Sequence, residues 1–181
     1  MIRYIADLHI GHDNIRRLCN RPFDSVGEMD RVLIENWNSV VNEEDTVYIL
    51  GDFSFKSVSD PVKILKSLKG KKRLLVGNHD RQNLRNPAFR SCFEKISDME
   101  TIFDGENRIV LSHFPIAEWD GYFRGVYHIF GHIHNNVTNR VYKFMAEEER
   151  ALNAGVDINN FIPVTFSELV VNNKVFREEN R

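Results

Sequence analysis

Cysteine is scarce: Cys19 and Cys92 are the only two in 181 residues. They are too few and too far apart for a disulfide framework or a short-spacing zinc site, so a reducing compartment is implied and both read as partly buried packing residues. Long apolar runs are missing as well. None approaches the roughly 18 residues that a membrane span requires, and no basic-then-apolar leader precedes the first element. The run 2–6 reads as a core strand, leaving little to cleave from the N-terminus, and a cytoplasmic location is expected. Nor is there an excess of either charge. With 24 Lys and Arg against 26 Asp and Glu, the net charge of -2 provides no global field for a nucleic-acid backbone. The local cluster Lys69, Lys71, Lys72 and Arg73 reads as a solvated strand entrance. Low-complexity stretches, repeats of 20–50 residues and Pro/Gly-rich linkers are absent, so a single domain over 1–181 is expected.

What is present is ordinary globular material, 42% hydrophobic and 28% charged, enough for one core. Five short runs rich in Ile, Val, Leu, Tyr and Phe read as strands buried on both faces: 2–6, 46–50, 73–76, 108–111 and 127–130. Helices are expected between the early ones. The clearest covers 26–41, with Ser25 and Glu28 spaced as a capping box and Met29, Val32, Leu33, Trp37 and Val40 on one stripe, which assigns Trp37 to the core. A second starts at Asp60 and Pro61, turns Ile64, Leu65 and Leu68 inward and stops at Gly70. Asp13 is expected to cap a short helix through Cys19, and Thr165 with Glu168 repeats the capping-box pattern. Residues 141–150 are ambiguous, strand-like at first and then helix or polar turn. Alternating strands and helices, followed by a helix-poor stretch 99–156, predict an α/β fold of two packed sheets flanked by helices.

Each apolar run ends in metal-competent residues: Asp7 and His9; Asp52; Asn78 and His79; His113; His132 and His134. In open α/β sheets ligands collect beyond the carboxyl ends of strands, so five such ends would pool these side chains in one crevice. Along an extended segment residues i and i+2 point the same way, which pairs Asp7 with His9 and His132 with His134. Gly51, Gly77 and Gly131 each precede a ligand, where close backbone approach or positive φ is useful. A single Asp-x-His or Gly-His-x-His arises by chance; the ordered set is specific.

That ordered set, together with His9 to Asn14 and the late Asn153, Ala154, Gly155, Val156 and Asp157, resembles the calcineurin-like metallophosphoesterase superfamily, in particular a small bacterial and phage branch. The match spans 7–134. The resemblance implies a four-layer α-β-β-α sandwich of two mixed sheets without a cap domain. It also implies a dinuclear centre. Asp7, His9 and His134 would bind one ion and Asn78, His113 and His132 the other, with Asp52 bridging and His79 facing the substrate phosphate. Hydrolysis of a phosphomono- or phosphodiester by a metal-bridging hydroxide follows from that assignment.

Two divalent ions with two carboxylates and a hydroxide leave about one positive charge to meet a phosphate. Four imidazoles, an amide oxygen and only two carboxylates suit zinc, iron, manganese, nickel or cobalt better than magnesium or calcium, and the resemblance favours manganese or iron. His12 reads equally as a phosphate contact, a support for a ligand or a turn cap; Asp80 as a partner of His79 or, preferably, a helix cap. Arg16, Arg81, Phe53 and Phe55 flank the site-bearing loops as candidate substrate contacts, and His128 reads as core. Trp119, Tyr122 and Phe123 form either an aromatic wall for a nucleotide-like small substrate or a surface loop. A binding scaffold of the same fold is the alternative, although scaffolds are expected to lack His79 or several ligands. A zinc amidohydrolase would need neither Asn78 nor this order.

Overall fold

The computed structural model describes residues 1–55 and 60–180. Strands β1 (Ile2–Ile5), β2 (Thr46–Ile49), β3 (Lys71–Leu75) and β4 (Lys95–Ser97) form a sheet in that order, every pair parallel. Strands β5 (Met99–Asp104), β6 (Asn107–Ser112), β7 (Tyr127–Phe130) and β8 (Ala151–Asn153) form a second, antiparallel only between β5 and β6. Only the second sheet is mixed, which corrects the expectation for the first. Its strands are joined through α1 (Asp13–Leu18), α2 (Val26–Val40), α3 (Pro61–Ser67) and α4 (Pro87–Arg90), and parallel neighbours need such crossovers.

Alternation along the strands builds the layers. Ile5, Val47, Ile49 and Leu74 point outward onto Met29, Leu33, Trp37, Leu65 and Phe89 of the helices. Tyr4, Tyr48, Leu50 and Leu75 point inward onto Ile109, Leu111, Ile129 and Leu152 of the second sheet. On its far side Val110 and Phe130 pack against Trp119 and against Tyr142 and Met145 of α5 (Arg140–Met145). Burial on both faces explains why the runs read as continuous apolar segments. Trp37 is fully buried and its indole donates to the Lys69 carbonyl at 3.0 Å, as its place on the stripe predicts.

Helix ends follow local chemistry, with corrections. Asp60 accepts from Val62 and Lys63, and Thr165 with Glu168 closes a full capping box on α6 (Phe166–Glu179). At α2 the box is only half formed: Ser25 accepts from Glu28, but the Glu28 carboxylate takes the N–H of Asp24 instead. Asp13 lies inside the first turn of α1 and pairs with Arg16, so it is not the cap. The ambiguous 141–150 segment is helix through Met145, where its first half reads as strand, and turn afterwards, one of the two readings open for its second half. Beyond β1, Ala6 bonds to the chain leaving β8, its N–H to Ala154 at 2.9 Å and its carbonyl from Val156 at 3.1 Å. That link brings the end of the first sheet and residues 153–157 to one place.

Candidate metal centre

Seven side chains from both sheets meet at the carboxyl ends of the strands. Asp7, His9 and His134 hold one set of donor atoms within 4.8 Å of each other, and Asp52, His113 and His132 another. Asn78 joins the second, its Oδ1 being 3.0 Å from His113 Nε2. Convergence has a different cause from strand periodicity. Asp7, His9, Asp52, His132 and His134 all adopt φ between 51° and 73°, the left-handed region that costs non-glycine residues about 1–3 kcal/mol and gathers at functional sites. Gly51 is the one preceding glycine with positive φ, at 84°. At Gly77 close approach alone decides: an added Cβ would fall 2.2 Å from Asp52 Oδ1.

The donor atoms are oriented. The His79 backbone N–H occupies Asp52 Oδ1 at 2.9 Å, leaving Oδ2 at 3.6 Å from both His9 Nε2 and His113 Nε2. His113 Nδ1 faces the Leu50 carbonyl at 2.8 Å and His134 Nδ1 faces Asp157 Oδ2 at 2.8 Å. Both acceptors lack a proton, so each Nδ1 carries one and each Nε2 turns its lone pair to the centre in the neutral ring. Asp7 Oδ2 accepts from the His132 backbone at 2.8 Å, whereas Asp7 Oδ1 and His9 Nε2 are buried with no hydrogen-bond partner among the described residues. Leaving such atoms unpaired is expensive. Orphaned oxygen and nitrogen donors aimed at imidazole lone pairs fit divalent metal ions.

Electrostatics agrees. Burial pushes the Asp7 carboxyl up to about 6 against the pull of His134 and His113. Burial opposes the charge on His134 too, but Asp7 and the hydrogen-bonded Asp157 raise it to about 11. Burial holds His9 well below the ordinary imidazole range, helped by His134 and Arg21. Without bound metal, like and unlike charges are thus crowded into one buried space.

The candidate ligands keep their expected order and assemble at one edge of a two-sheet α/β sandwich. No family model matches the sequence. The chain belongs to one family with the uncharacterized protein MJ1445 of Methanocaldococcus jannaschii, 34% identical over 99% of this chain and 96% of that one. The Gene 66 protein of Mycobacterium phage L5 is 36% identical over 62% of each chain. The crystal structure of AQ665, a protein of unknown function from Aquifex aeolicus, superposes with a TM-score of 0.72 at 29% identity, over 93% of this chain and 96% of that one.

Around this candidate centre the other side chains sort by contact. His79 is one-third exposed, its Nε2 3.9 Å from Asp52 Oδ2, and it also falls within a group with His9 and Asp52. His12 supports a ligand: its Nδ1 lies 3.3 Å from His9 Nδ1 and its ring stacks on Phe55. It occupies the cap position of α1 without a side-chain cap bond. Asp80 is a correction, neither the partner of His79 nor a helix cap. It is fully buried and accepts the backbone N–H groups of Asp52, Phe53 and Gly77 at 2.9–3.0 Å, tying two ligand-bearing corners together. Arg16 is spent on Asp13 and the Phe23 carbonyl; Arg81 is exposed. Phe53 is core.

Of the two readings of Trp119, Tyr122 and Phe123, the loop holds and the wall does not. Trp119 is buried, donating to the Val126 carbonyl at 2.9 Å, while Phe123 is 83% exposed. The rings beside the cage are Phe114, edge-on to His113 and His132, and Phe55, edge-on to His79. His128 is core, its Nδ1 on the Val110 carbonyl and its Nε2 accepting from Ile116, and burial lowers it to about 4. The sequence reading missed Arg21, which had no local signal, and gave Asp157 no role although it quoted the motif that contains it. No helix among the described residues is long and apolar enough to cross a membrane.

Proposed function

We propose that this protein is a dinuclear metal-dependent phosphoesterase acting on phosphomono- or phosphodiesters. The observation that carries the reading is the pair of buried, unpartnered donors, Asp7 Oδ1 and His9 Nε2, facing His134 and Asp52. Asp7, His9 and His134 would hold one ion, Asn78, His113 and His132 the other, and Asp52 both. When bound, such ions supply Lewis-acid charge for the phosphoryl oxygens and lower the pKa of water.

The chain does the rest. His79 stands at the mouth with its Nε2 near Asp52 Oδ2, placed to hold a proton for the leaving oxygen. Its backbone N–H fixes Asp52 at the same time. Phe55 and Phe114 give the mouth apolar walls on either side, which suits an ester carrying a planar group. The test is to strip the protein with chelator, reload it with manganese, iron, zinc, nickel or cobalt, and assay nitrophenyl mono- and diesters and cyclic nucleotides. Uptake of two ions with hydrolysis restored supports the proposal. Absence of metal uptake in equilibrium dialysis defeats it.

A further inference from the structure

Asp7, His9 and His134 hang on one internal ionic frame. Asp157, whose side chain is 1% exposed, takes the His134 Nδ1 proton on Oδ2 at 2.8 Å and the Arg21 Nε–H on Oδ1 at 2.7 Å. Arg21, with a side chain 0% exposed, sends Nη2 to the Asp7 carbonyl at 2.7 Å and Nη1 to the Leu8 carbonyl at 2.8 Å. The ring closes on itself: His134 imidazole, Asp157, Arg21, then the backbone that carries Asp7 and leads to His9. Asn153 completes it by donating to the His134 carbonyl at 2.8 Å. In the other group the remote nitrogen of His113, Nδ1, faces a neutral carbonyl, and the His132 ring has no hydrogen bond among the described residues.

We infer that Arg21 and Asp157 are positioning residues that make the Asp7, His9 and His134 group the tighter of two metal sites and the first to fill. The inference rests on the dinuclear reading above. A carboxylate on the remote nitrogen fixes the tautomer and strengthens the imidazole as a donor more than a carbonyl does, and losing such a partner typically costs 10- to 100-fold in metal affinity. Arg21 is required because its fork alone spans Asp157 and two carbonyls on the ligand-bearing backbone; a lysine offers one point charge in its place.

Calorimetric titration of the chelator-stripped full chain with Mn²⁺ tests this, alongside metal-free melting curves. Wild type should show two affinities. Asp157→Asn keeps the shape and removes the charge, and should weaken the tighter affinity roughly 10- to 100-fold while leaving the weaker one in place. Arg21→Lys should give a smaller loss of the same kind. Because Asn at 157 leaves the Arg21 guanidinium buried without a counter-charge, the double variant Arg21→Gln, Asp157→Asn serves as a second probe. It should melt close to wild type without metal and show the same selective loss. Equal weakening of both ions, or an unchanged titration in folded variants, overturns the inference. If neither variant folds, the pair serves folding instead and the inference is equally lost. Wild type that takes up no Mn²⁺ would instead sink the dinuclear reading.

Discussion

The two halves of the centre are made differently. Asp7 and His9 are almost fully buried, and their group is held by charged contacts that span the chain, Arg21 to Asp157 foremost. The second group includes the exposed His132, whose ring meets His113 and Phe114 edge-on. One half is held in place by the fold alone. The other is finished by a side chain with room to adjust, next to the apolar wall that a substrate would meet. Under the dinuclear proposal, preorganisation and access fall to different ligands of one cage.

The sharpest way to break that division is at the residue common to both halves. Asp52→Asn removes the carboxylate that faces three imidazoles, and both ions should be lost together, with activity down by at least roughly 10²- to 10³-fold. His9→Ala should lower metal content by one ion only. Elemental analysis of the two variants distinguishes these outcomes, and equal losses would mean that the halves are not separate sites.

His79 comes next. Assigned outside the cage, it should be replaceable by Asn with both ions retained. A positioned acid contributes typically 10²- to 10⁴-fold when the leaving group is a poor one. Turnover of an alkyl phosphate ester should therefore fall far more than that of a nitrophenyl ester. Equal slowing of both points to charge stabilisation at a non-bridging oxygen, and loss of metal would place His79 in the cage with His9 and Asp52.

This division was only half legible in the sequence. The five buried runs end in ligands because strand carboxyl ends face one edge, a consequence of parallel pairing that alternation of elements discloses. Strands β4 and β8 have three residues each, too short for a period to register, and β5 exposes Met99 and Phe103, which reads as no buried face at all. The left-handed corners that aim Asp7 and His134 leave no mark in residue type. Arg21 and Asp157 lie 136 positions apart, and nothing local joins them. Asp80 was misread for the same reason: its three backbone partners come from a different strand end and from its own loop.

A milder effect separates the halves by pH. His134, raised to about 11 by Asp7 and Asp157 against burial, is an imidazolium at neutral pH when no metal is bound, and coordination through Nε2 must expel that proton. About one proton should be released as the first ion binds, and its affinity should fall about tenfold for each unit of pH lowered. Folding stability carries the matching sign. The raised pKa stabilises the metal-free fold fully below about 6.5 and progressively less as pH rises toward 11. Titrations in two buffers of different ionisation enthalpy count the protons. Zero release would mean that His134 is already neutral and that the charged frame does not reach it.

The smallest effect is expected at His132. Its side chain is exposed, and substitutions away from core, caps and networks usually stay within about 0.5 kcal/mol. His132→Ala should therefore leave the metal-free melting temperature almost unchanged. With metal the variant should part from wild type. Each ion that binds only the folded chain adds about 2.7 kcal/mol at a hundred times its dissociation constant, so a protein that keeps the Asp7, His9 and His134 ion and loses the other should forfeit one such increment and retain the first. Melting curves with and without saturating Mn²⁺ measure both quantities on one sample. If the metal-free curve itself drops by a kilocalorie or more, the ring contacts of His132 with Phe114 and His113 belong to the fold. The second half would then be as firmly built as the first.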